Sequence, residues 1–60
     1  MPVITVEMWK GRTDEQKATL IRGITEVFEK IGAAKDQTTV ILNEHDKSNW
    51  GMKGVQASKQ

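Results

Sequence analysis

Cysteine is absent from the 60-residue chain. That excludes disulfides and any thiolate metal centre. Histidine occurs once, as His45, so a cluster of imidazole ligands is excluded as well. There is no tyrosine, one phenylalanine and one proline. Nine Lys and Arg face eight Asp and Glu, for a net charge of +1. The basic excess expected of a nucleic-acid binder is missing. No apolar run approaches the roughly 20 residues of a membrane span. No charged segment precedes an apolar stretch at the start, so the expectation is no signal peptide and a cytoplasmic protein. Repeats, low-complexity stretches and linkers are also missing, which predicts one domain over residues 1–60. So short a chain buries only about 60% of the surface that its unfolded form exposes. With no disulfide or metal to staple it, association with copies of itself is the remaining source of stability.

Three segments carry readable periodicity. Residues 2–9 alternate, with Ile4, Val6 and Met8 on one face and Val3, Thr5, Glu7 and Trp9 on the other. Period two with β-branched residues predicts a strand. Its second face is mixed rather than polar, which predicts partial cover there. Thr13-Asp14-Glu15-Gln16 has the form of a capping box, and a helix is expected over residues 14–31. Its apolar stripe is Leu20, Ile21, Ile24, Val27, Phe28 and Ile31, with Gly32 as a left-handed stop. Residues 38–44 form a second alternating strand, with Val40 and Leu42 on one face. Strand, helix, strand is a βαβ unit of the α/β class with two parallel strands. Residues 45–49 read as a polar loop, in which His45 and Lys47 are solvated. The segment around Gly51 and Gly54 reads as a short turn or hairpin. One helix covers one face of a parallel sheet, and such sheets are normally covered on both. The other face needs a partner, most simply another copy of the chain.

Few residues offer chemistry. No nucleophilic triad, phosphate loop or dinucleotide fingerprint is present. Pro2 follows the initiator Met, and a small second residue favours removal of that Met. Pro2 would then carry a free secondary amine, a general base once its pKa falls toward neutrality. An α-amino group titrates near 8, and burial or a neighbouring cation lowers it further. Arg12 sits at a helix start, where the helix dipole disfavours its charge. That placement hints at another use, such as a bidentate grip on a carboxylate.

Pro2, a strand, the run Gly11-Arg12-Thr13-Asp14-Glu15-Gln16-Lys17 opening a helix, and then Leu20-Ile21 closely resemble the 4-oxalocrotonate tautomerase family. The resemblance continues through Glu44, Lys47, Trp50-Gly51, Gly54 and Ala57-Ser58-Lys59. It implies a small βαβ protein assembled as a hexamer, a trimer of dimers, without cofactor or metal. It implies a keto-enol isomerase that moves a proton next to a carbonyl in a small unsaturated 2-oxo or 2-hydroxy acid. Pro2 is then the general base and Arg12 the carboxylate ligand. Trp9 and Trp50 match apolar residues that line the pocket. A second arginine of the family falls at Thr39, which offers one neutral hydrogen bond. This departure predicts weak activity on a dicarboxylate dienol, or a preference for a substrate with one carboxylate. Lys47, Lys53 and His45 are the other groups able to stand in, and the sequence places none of them.

Spacing adds an argument of its own. Pro2 opens the first strand and Arg12 follows its end, so they lie more than about 20 Å apart in one chain. If both serve one substrate, they come from different subunits. Two other readings remain open. A hydratase or dehalogenase on the same scaffold would need an acid to activate water, and Glu7 and Glu44 are available. A non-enzymatic oligomeric binding protein follows if Met1 is retained, because Pro2 is then an amide.

Overall fold

The alternating segment forms strand β1 (Val3–Trp9) in a computed structural model that describes residues 1–60. The strand starts one residue later than expected because proline has no N–H to give the ladder. Pro2 still joins through its carbonyl, which accepts from the Thr39 N–H at 3.0 Å. Helix α1 spans Asp14–Lys30, and both halves of its capping box are made. The Gln16 N–H donates to Thr13 Oγ1 at 3.1 Å, and the Thr13 N–H donates to Gln16 Oε1 at 2.9 Å. Ile31, expected as the last helical residue, is the C-cap, and Gly32 follows at φ +103°. That conformation favours glycine and turns the chain out of the helix.

Strand β2 is Thr39–His45, shifted one residue from expectation at both ends. At its start Thr38 belongs to a 3-10 turn, its N–H donating to Lys35 O at 3.3 Å. At its end His45 is not a loop residue: its carbonyl accepts from the Lys10 N–H at 3.0 Å and prolongs the ladder. β1 and β2 are parallel, from Val3 opposite Thr39 to Trp9 opposite His45. The expected loop after His45 contains a 3-10 turn, Lys47–Asn49. A minimal hairpin follows, β3 (Gly51–Met52) against β4 (Val55–Gln56). Lys53 and Gly54 join its strands with φ of +55° and +79°. Two positive φ values in a two-residue loop are the signature of a type I′ turn.

Leu20, Ile24 and Phe28 recur every fourth residue and are half-buried, as are Ile4, Val6, Met8, Val40 and Leu42. These residues form the layer between helix and sheet. The rest of the expected helical stripe is outside it, with Val27 58% and Ile31 75% exposed. A two-stranded sheet is too narrow to cover the whole stripe. Ala57 alone is buried, at 8% exposure. The radius of gyration is 14.3 Å, against about 10 Å for a compact domain of this length. The chain is a slab 13 Å thick with apolar side chains on both broad faces. No helix is long and apolar enough to cross a membrane.

Candidate active site

The parallel register sorts the candidate residues to opposite ends of the sheet. Pro2 and Thr39 lie together at one end, joined by their backbone hydrogen bond. Trp9, Arg12 and Trp50 lie at the other. Seven residues of strand separate the two groups, roughly 23 Å at 3.3 Å per residue. Within one copy Pro2 and Arg12 do not meet.

At the Trp9 end, the rings of Trp9 and Trp50 meet edge to face, with centroids 5.7 Å apart. Trp50 is held by its backbone, since its carbonyl accepts from the Ala57 N–H at 2.7 Å. The ammonium of Lys47 lies 4.7 Å from the Trp9 ring centroid, within range of a cation–π contact. Lys47 is exposed, as its sequence context suggests, and its ammonium is held at this ring. Met8, Trp9, Lys10, Gly11, Arg12 and Lys47 line an open recess of about 290 Å³. Lys10 is paired with Asp46 at 3.4 Å. Arg12 also borders a wider groove of about 480 Å³, between β1 and the start of α1.

His45 points to the outer sheet face as part of a cluster that sequence reasoning missed. Its Nε2 donates to Glu7 Oε1 at 2.6 Å, and Asn43 Nδ2 donates to Glu7 Oε2 at 3.0 Å. These bonds, with that of His45 the stronger, hold the Glu7 carboxyl below its ordinary 4.5. The signal was in the pairing of the strands: matching them end to end sets Glu7 opposite Asn43 and Trp9 opposite His45. Glu44 is engaged on the other face, accepting from Lys17 Nζ at 3.1 Å. That hydrogen bond, reinforced by the charge of Glu44, raises the Lys17 pKa above 10.5. Lys53 sits at the hairpin tip, and Thr39 is remote from the Arg12 recess.

Fold and site together define a small βαβ protein with cations and indole rings gathered at one sheet end. Comparison with known proteins makes the class specific: the chain belongs to the tautomerase enzyme family, whose sequence pattern matches residues 2–60. It is 42% identical over 59 residues to a probable tautomerase of Listeria monocytogenes, covering 97% of each chain. It is 41% identical over 59 residues to 2-hydroxymuconate tautomerase of Bacillus subtilis, covering 97% of this chain and 95% of that one. The crystal structure of YwhB, a homologue of 4-oxalocrotonate tautomerase, superposes with a TM-score of 0.90 at 38% identity, covering 98% of both chains.

Proposed function

We propose that this chain is a tautomerase acting on a small unsaturated 2-oxo or 2-hydroxy acid, with Pro2 as general base. The observation that carries the reading is that the family match begins at Pro2 and leaves out Met1. Met1 is 90% exposed, so the fold does not shield it from removal. The Bacillus subtilis relative's name points to a substrate of the 2-hydroxymuconate type.

The active assembly is a homohexamer built as a trimer of dimers, in which each site draws on more than one copy. Exposed Val3, Ile41, Val27 and Ile31 supply apolar surface for such contacts. Both edges of the two-stranded sheet are open. A second copy added antiparallel on either edge sets its Trp9 and Arg12 end beside the Pro2 end of the first.

In the assembled site the neutral amine of Pro2 takes the proton of the 2-hydroxyl. The electron pair moves along the conjugated chain, the 2-oxo group forms, and Pro2 returns the proton to a distal carbon. Arg12 holds a carboxylate by paired charge-assisted hydrogen bonds. Trp9 and Trp50 exclude water, which strengthens that ion pair and favours the neutral amine. Thr39 offers a single neutral hydrogen bond at the Pro2 end. The chemistry needs no cofactor. Water activation by an acid is less well served, since both oxygens of Glu7 are bonded and Glu44 is paired.

The test is ketonisation of 2-hydroxymuconate, followed by ultraviolet absorbance, with protein shown by intact mass to lack Met1. Pro2→Ala is expected to lower kcat/KM by about 10²- to 10⁴-fold, the usual contribution of a general base. Equal rates for the two proteins would overturn the assignment of Pro2.

A further inference from the structure

We propose that Lys47 is the second anion-binding cation of this site and supplies the charge that Thr39 lacks. Three cations line the recess, namely Lys10, Arg12 and Lys47. Lys10 is neutralised by Asp46. Neither Arg12 nor Lys47 has a carboxylate at ion-pair distance, so two uncompensated positive charges share one small concavity. Thr39 of the same copy stands at the far end of the sheet beside Pro2, and a neighbouring copy's Thr39 brings a hydroxyl but no charge.

The position of Lys47 is built rather than incidental. Its backbone opens the 3-10 turn Lys47–Asn49, closed by Asn49 N–H to Asp46 O at 2.9 Å and Trp50 N–H to Lys47 O at 3.2 Å. The same turn leads directly into Trp50, whose ring packs on Trp9. The ammonium rests over the face of Trp9. A cation–π contact at an open ring is weak enough to yield to a real anion, yet it keeps the charge at the recess. A planar fork and a point charge then serve different oxygens. Arg12 grips the carboxylate through two nitrogens. Lys47 takes the adjacent 2-oxygen, where negative charge builds as the enol ionises. The ligand class is an acid with two neighbouring oxygen functions, a 2-oxo or 2-hydroxy carboxylate.

The role in turnover rests on the tautomerase reading, whereas anion binding does not, and the experiment separates them. Oxalate, with two adjacent carboxylates, is titrated into the assembled Pro2→Ala protein by calorimetry at low ionic strength, with acetate as comparison. Saturable binding that favours oxalate over acetate is expected. Lys47→Met in that background is expected to weaken oxalate about tenfold, the scale of one lost charge-assisted hydrogen bond, and to leave acetate nearly unchanged. Lys47→Arg is expected to restore most of the affinity. Equal oxalate affinity with and without Lys47, or no saturable binding before its removal, would overturn the proposal. Neither result depends on whether Pro2 is a base. With Pro2 restored, Lys47→Met is expected to raise KM for 2-hydroxymuconate and lower kcat.

Discussion

Arg12, in the turn before α1, and Glu7, on the outer face of β1, are both charged, yet their surroundings differ. Arg12 borders two concavities and has no acidic partner, so its charge is available to a ligand. Arg12→Ala should raise KM for a carboxylate substrate roughly 10- to 100-fold, the loss of a charge-assisted pair. Steady-state kinetics on 2-hydroxymuconate would show it, and an unchanged KM would remove Arg12 from the site. Glu7 is saturated by His45 and Asn43 and acts within the fold. Its pKa is lowered from 4.5 in the folded chain. The stability it lends is therefore full above pH 4.5 and is lost as pH falls through its lower folded value. Lys17 works at the other limit, since its pKa is raised above 10.5 by Glu44. Its contribution is full below pH 10.5 and is lost as pH rises through the raised value. Urea midpoints measured across pH should show a shallower acid limb for Glu7→Gln and a shallower alkaline limb for Lys17→Met. A parallel shift of the whole curve would contradict both assignments.

The elements are set by short local signals. Thr13 and Gln16 bond reciprocally at the start of α1, and these two bonds satisfy donors that would otherwise be orphaned. Thr13→Ala should cost about 1 kcal/mol, read as a lower urea midpoint at fixed protein concentration. No change would mean that the helix is anchored wholly by packing on the sheet. The two long strands and the helix were legible, because the strand alternation, the capping box and the Gly32 stop all act within a few residues, whereas the 3-10 turns at Lys35–Gln37, Lys47–Asn49 and Ala57–Lys59 were not. The end residues were less legible. Pro2 could not donate to the ladder, Thr38 was captured by a turn, and His45 was recruited into β2 by Lys10. The shift at Thr38 depends on a competing local bond and that at His45 on a partner far away in sequence.

At the scale of the molecule, a slab with one buried residue has little to hold it alone. Ile41 is exposed on the sheet face that α1 leaves open. Ile41→Asp would place an uncompensated charge in a contact between copies and should drive the assembly toward monomer. Sedimentation velocity would detect the loss, along with a melting temperature that falls on dilution. An unaltered sedimentation coefficient would exclude that face from the interface. Composite sites have a sharper consequence. Pro2→Ala and Arg12→Ala proteins, each impaired alone, should regain part of the activity after being unfolded together and refolded. Mixed assemblies contain some sites with both residues intact. No recovery would mean that Pro2 and Arg12 do not serve a common site across copies.

Sequence by itself determined the βαβ order, the parallel pairing and the separation of Pro2 from Arg12, because these follow from side-chain periodicity, chain direction and rise per residue. The motif around Pro2 and Arg12 also marked the family. Only the tertiary structure decided what Lys47, His45 and Glu7 do. A 3-10 turn carries Lys47 over Trp9, and the strand register sets His45 and Asn43 on Glu7. A loop lysine and a strand glutamate have no periodicity to betray their partners. Their roles come from contacts spanning 38 residues in both cases, and such contacts exist only once the two ends of the chain have been brought side by side.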